Sequence, residues 1–222
     1  MSHVVEGYGP ECVDEVIPSR REPLRKAALQ LFALRGFARV GVRELAQQLG
    51  MGPGSFYCHF ESKEQLLFEL IEELFTDLLA LTRRRKKDRS GACLQAFVQS
   101  HIGLHERRAM NFLIAEREFH CLSLDHQQHK CRMRKDYENH FLLILREAGA
   151  TAPSPILKAT VHAVMAWLNH LPIWVEQSGL EASERPAILS AIVLGSLSSV
   201  LPSSAQTLLW SDSLPRKRIA RR

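Results

Sequence analysis

The chain has 222 residues, 45% of them apolar, with a formal charge of +5 and a pI near 9.1, so it can bury a core without covalent or metal support. Its five cysteines, Cys12, Cys58, Cys93, Cys121 and Cys131, are odd in number and include no Cys-x-x-Cys pair, which argues against a disulfide framework or a zinc ribbon. No apolar run is long enough to span a bilayer, and the modest positive excess permits nucleic-acid binding without requiring it.

The start, Met1-Ser2-His3-Val4-Val5-Glu6, has no basic segment followed by an apolar one, so a signal peptide is not expected and a reducing cytoplasm is. Residues 1–18 carry acids without Lys or Arg and show no apolar period, which predicts a disordered lead-in. Ser19-x-x-Glu22 has the form of a capping box, and Pro23 suits a first helical position, so the first helix starts near here. Leu24, Ala28, Leu31 and Phe32 form its apolar stripe, and Gly36 is its stop. Val42, Leu45, Ala46 and Leu49 predict a short second helix ending at Gly50. A third fits only between 53 and 60, where Phe56 and Phe60, four apart, can dock it on its neighbours. A long fourth helix runs from Ser62 through Leu67, Leu70, Ile71, Leu74, Leu78 and Leu81 to a basic run at 83–87. At 1.5 Å per residue that run lies roughly 30 Å from the helix start, which favours a solvated helix end over a DNA contact.

Further helices are expected at 92–105, 109–120, 125–147, 155–177 and 184–201, with no competing strand signal. The fold class is therefore all-α. Residues 19–66 would form a helix-turn-helix DNA-binding domain, residues 67–201 a second helical domain, to which the family resemblance described below assigns ligand binding and dimerisation, and residues 202–222 a basic disordered tail.

A helix reads base edges only when its end approaches the duplex closely and neighbouring groups anchor it on phosphates. Pro53 can open the third helix, and Gly54 and Ser55 are small enough for close approach. Tyr57 and His59 carry polar tips for phosphate oxygens, Lys63 adds charge at the next helix start, and Arg43 is the best candidate for a guanine edge. Residues 24–70 resemble the DNA-binding domain of the TetR family of one-component transcriptional regulators. The matching positions include Ala28, Phe32, Gly36, Phe37, Val42, Leu45, Ala46, Gly50, Gly54, Tyr57, Phe60, Lys63 and Leu66. The resemblance implies an all-helical homodimer that binds a double-stranded DNA operator and is controlled by a small molecule in its C-terminal domain. Gly41 and Gly52 stand where the family tends to place hydroxyl caps, so hydroxyl caps and their phosphate contacts do not carry over.

In the C-terminal part, the segment 159–175 is apolar but interrupted by Asn169, His170 and Pro172, a pattern that suits either a pocket wall or a dimer seam. By similarity to the family, the last two helices of each subunit form a four-helix dimer interface. Phe112, Phe119, Tyr137, Phe141, Trp167 and His170 are the candidate ligand-binding residues, with plain core as the alternative for about half of them. The region is also similar to family members that respond to acyl-CoA thioesters or other lipophilic acids, which makes a small hydrophobic effector, such as an acyl-CoA or a fatty acid, the expected ligand. Arg132, Arg134 and Lys135 would meet its phosphates or, more simply, pair with Asp136 and Glu138. His101 with His105, and His126-x-x-His129-x-Cys131, have spacings that suit metal ligands on a helix, but two ligands do not make a site and solvent-facing histidines are the expectation. No catalytic residue, metal site, cofactor or membrane contact is assigned. The expected function is a repressor released from its operator by a lipophilic effector. The alternatives are a regulator sensing metal or redox state and, less favoured, an all-helical enzyme.

Overall fold

The computed structural model describes residues 20–83, 92–171, 179–203 and 206, and among these every regular element is helical. The lead-in, the basic run beyond Arg83, Pro172 and nearly all of the basic tail lie outside the described residues. Helix α1 (Arg21–Arg35) buries Leu24, Ala28, Leu31 and Phe32, the stripe expected from its spacing. It ends at Gly36, whose φ of 86° is a left-handed conformation that L side chains avoid. A short 3-10 turn, Phe37–Arg39, leads to α2 (Val42–Gln47), which closes through Gly50 at φ 62°.

Helix α3 (Pro53–Tyr57) is shorter than the expected 53–60, because the chain turns at Cys58 and the amides of His59 and Phe60 both bond to the Phe56 carbonyl. Helix α4 (Lys63–Arg83) begins at Ser62, whose hydroxyl accepts from the Gln65 amide at 2.9 Å, as an N-cap does. Its buried face, Leu66 to Leu78, packs against α1 on one side and two later helices on the other.

Two helices expected at 92–105 and 109–120 are one kinked helix, α5 (Ala92–Arg117), with a non-helical residue at Arg108 (φ −124°, ψ 26°). The interruption lies within the stretch where a break was expected, but 106–109 holds no Gly or Pro to end a helix, so the chain bends and continues. A 3-10 turn at Phe119–Cys121 joins it to α6 (Leu124–Glu147), capped by the Ser123 hydroxyl. Helix α7 (Ser154–Asn169) and helix α8 (Arg185–Ser198) complete the C-terminal layer, and α8 packs on α5 and α7. One continuous apolar core runs from Leu24 in α1 to Leu197 in α8. No described helix is long and apolar enough to cross a membrane.

Candidate nucleic-acid interface and effector cavity

The sequence of α3 sorts its side chains cleanly. Phe56 and Phe60 are buried, tilted against each other with ring centroids 5.7 Å apart, and fasten the helix to the core. Pro53, Gly54, Ser55 and Tyr57 are left on the outside, and Tyr57 is 59% exposed. Arg43 is exposed on α2, as is Arg39 just ahead of it, a cation the sequence did not single out. His59 is half-buried, and its carbonyl accepts from Arg21 at 2.9 Å. Gly41 and Gly52 are the N-caps of α2 and α3 with extended backbone and no side-chain cap bond, which agrees with the departure read from the sequence.

Lys63 is placed differently from expectation. Its ammonium donates to the carbonyls of Phe37 at 2.9 Å and Val40 at 2.8 Å and lies 4.0 Å from the centre of the Phe37 ring. Burial lowers its pKa, while the two carbonyls hold the ammonium inside the turn between α1 and α2. Two of its three donors are occupied, and its main role here is to fix that turn.

The N-terminal helices are tied to the rest of the molecule by two polar joints. In the first, Arg21 chelates Glu69 at 2.7 and 2.8 Å and Arg25 bonds both Glu69 at 2.9 Å and Glu73 at 2.5 Å. The other oxygen of Glu73 accepts from Arg108 at 2.6 Å, and Arg108 also reaches Asp77. Although burial alone would raise the Glu73 pKa, the bonds from Arg25 and Arg108 and their charges outweigh it and hold the carboxyl ionised. In the second joint, Arg117 at the end of α5 donates to the carbonyls of Phe32 and Ala33, at 2.5 and 2.8 Å, and so caps the C-terminus of α1.

Beside the α5 kink lies a cavity of about 660 Å³, walled by Ile102, His105, Ala109, Leu113, Leu171 and Leu189, with Glu106 and Arg185 also on its lining. None of the six candidate ligand residues lines it. Phe112, Tyr137 and Phe141 are buried in the core. Phe119 stacks under the Lys130 ammonium at 4.4 Å. Trp167 borders a separate groove of about 270 Å³ between α7 and α8. His170 is exposed, with Nδ1 2.9 Å from the Ala166 carbonyl. The expectation of solvent-facing histidines is also corrected, since His101 and His105 are buried and bonded Nε2 to Nε2 at 3.1 Å. His126 and His129 pair with Glu64 and Glu72 of α4, at 2.8 and 3.2 Å. Arg134 pairs with Glu138 at 3.1 Å, the simpler of the two roles considered for it.

The family model described as "Bacterial regulatory proteins, tetR family" matches residues 24–70. An uncharacterized HTH-type transcriptional regulator of Bacillus subtilis (strain 168), YerO, is 31% identical over 84 residues, 38% of this chain and 29% of the relative's length. Among solved structures, a bacterial regulatory protein in the tetR family from Rhodococcus RHA1 superposes with a TM-score of 0.71 at 24% identity, covering 83% of this chain and 98% of that one. AibR, solved in complex with isovaleryl coenzyme A and operator DNA, gives 0.65 at 18% identity over 82% and 98%. At these identities the structures speak for the fold, and the match over 24–70 speaks for the head. Residues 24–70 thus match the DNA-binding domain of the TetR family, and the chain around them has the fold seen in solved TetR-family regulators.

Proposed function

We propose that the chain is a ligand-controlled repressor that grips two operator half-sites as a homodimer and lets go when a small lipophilic effector enters the helical domain. The observation that carries this reading is the pairing of an exposed reading surface, Arg43, Ser55 and Tyr57, with an apolar cavity beside a kink whose central residue is bonded to α4. The path between them is short. Ala109 and Met110 line the cavity immediately after the kink, and the same half of α5 ends at Arg117, which holds the last turn of α1. Movement of that half-helix therefore moves the head, with α4 as the second lever through Glu73 and Asp77.

We propose that the dimer forms on the outer side of α7 and α8, where Ala163, Ser196 and Ser199 border a groove and Ile192 is exposed. Small residues there let helices of two subunits approach closely. AibR is a precedent for a fold of this kind meeting both a coenzyme A thioester and operator DNA. An acyl-CoA or fatty acid is accordingly the first effector class to try.

The operator is found by selecting duplexes from a random pool with the purified full chain, followed by affinity measurement at fixed salt. Arg43→Ala is expected to weaken the selected site by tenfold or more and to relax preference at one base pair, and Tyr57→Ala to weaken it about tenfold. Unchanged affinity in both variants would remove these residues from the interface. Acyl-CoAs and fatty acids are then screened by thermal shift, and each stabilising compound is tested for release of the selected DNA.

A further inference from the structure

Residues 36–60, which hold the turn after α1 and both short helices, contain a single acid, Glu44, and two arginines, Arg39 and Arg43. Glu44 is taken, because Arg35 at the end of α1 is bonded to it. Arg39 and Arg43 are exposed, and among the described residues neither makes an ion pair or a side-chain hydrogen bond. Arg21 and Arg25, by contrast, are spent on Glu69 and Glu73 of α4. Within residues 36–60 the uncompensated positive charge therefore sits at the entry to α2.

Arg39 is displayed there by a built turn. Residues three apart share a side of a 3-10 turn. Phe37 and Val40 take the inner side: Val40 is fully buried, and the Phe37 ring meets Phe32 edge-on with centroids 5.2 Å apart. Ala38 and Arg39 are left on the outer side, both exposed. The carbonyls of Phe37 and Val40, one before Arg39 and one after it, accept from the Lys63 ammonium at 2.9 and 2.8 Å. One side chain from the start of α4 thus clamps the backbone on both sides of Arg39.

A guanidinium with no carboxylate beside it suits a phosphate, whose oxygens it can meet with two parallel N–H donors. Position favours the DNA backbone over the bases. Arg39 lies two residues ahead of Gly41, the cap of α2, whereas Arg43 stands in the first turn of the helix itself. Contacts to phosphate from such a flanking position fix register and add affinity without reading sequence. We propose that Arg39 binds a phosphate of the operator backbone, and that Lys63 is a positioning residue that presents Arg39 to the duplex instead of touching it. This rests on the DNA-binding reading above and moves the anchor expected at Lys63 to a different side chain.

The test is a salt titration of the full chain between 50 and 200 mM, on the selected duplex and on a scrambled duplex of equal length. Arg39→Gln is expected to weaken both by the same factor, about tenfold per bound subunit at 50 mM salt, and to reduce the slope of log affinity against log salt by about 0.9 per bound subunit. Arg39→Lys, which keeps the charge, should restore most of that slope. Lys63→Met should reduce the slope by no more than Arg39→Gln does, and the double variant should match Arg39→Gln alone. An unchanged slope in Arg39→Gln overturns the proposal, and this surface variant decides it even if Lys63→Met fails to fold. A loss confined to the selected duplex would make Arg39 a base contact and also overturns it. Slope losses that add in the double variant put Lys63 on a phosphate itself and overturn its positioning role. If the unaltered chain binds neither duplex at 50 mM salt, the DNA-binding reading falls. Binding with a slope indifferent to Arg39 leaves that reading standing and removes only this anchor.

Discussion

At the scale of single residues, the head shows how position overrides residue type. Gly52 caps α3 with a φ of −69° and a ψ of 152°, a conformation that serine adopts without strain, and a Cβ built there meets nothing within 4 Å. Gly52→Ser is therefore expected to stabilise the fold by about 0.5–1 kcal/mol, partly by capping an open amide and partly by restricting the unfolded chain. Chemical denaturation checks it, and a loss of stability would show that the cap is constrained in some other way. The identity and burial of Phe56 and Phe60 were legible from their spacing alone. The role of Lys63 was not, because its partners Phe37 and Val40 lie more than twenty residues upstream and are carbonyls, which no side-chain pattern reveals. The same limit hid the histidines. Their four-residue spacing is visible in the sequence, but Tyr137, whose hydroxyl lies 2.6 Å from His101 Nδ1, is thirty-six positions away.

At the scale of elements, the kink in α5 gains meaning from the charges that converge on it. Arg25 and Arg108 hold different oxygens of Glu73, so each supports the geometry the other needs. Methionine at either position should cost about 1 kcal/mol, kept small by solvent around these partly exposed groups. The double variant should depart from additivity by about 0.5–1 kcal/mol in urea denaturation, and strict additivity would mean that α1 and α5 do not communicate through Glu73. Helix order and most boundaries followed from apolar periods and glycine stops. The candidate ligand residues fared differently, because an aromatic side chain in a core and one on a cavity wall give the same pattern along a helix. Phe112, Tyr137 and Phe141 proved to be core, while the residues that line the cavity, such as Ile102 and Leu189, look in sequence like any other apolar position.

At the scale of the whole molecule, the two buried histidines set a limit on acid tolerance. Both have pKa values lowered by burial in the folded chain, while in the unfolded chain they return to about 6.5. Below that value the unfolded state binds more protons, so stability falls with falling pH, for His101 down to the folded value of about 3. Between pH 7 and pH 5 His101 should remove roughly 2 kcal/mol and His105 should act in the same direction, in a range where the low-lying Glu73 carboxyl stays ionised. Urea denaturation at the two pH values checks it, and His105→Phe should make the loss smaller. A drop of unchanged size in that variant would assign it to other groups.

The cap that Arg117 places on α1 has a consequence for anyone recombining such proteins. The carbonyls of Phe32 and Ala33 are satisfied from the far end of α5, Glu69 and Glu73 bind arginines of α1, and the Leu70 carbonyl accepts from the buried Asn111. A head excised after residue 70 and spliced to a foreign sensor keeps its Glu69 pairs but loses Glu73 as a partner of Arg25, the Arg117 cap on Phe32 and Ala33, and the Asn111 donor to Leu70. The transplantable unit is discontinuous in sequence: it comprises the head together with Glu73, Asn111 and Arg117, and a working chimera must supply all three from whatever replaces the rest of α4 and α5.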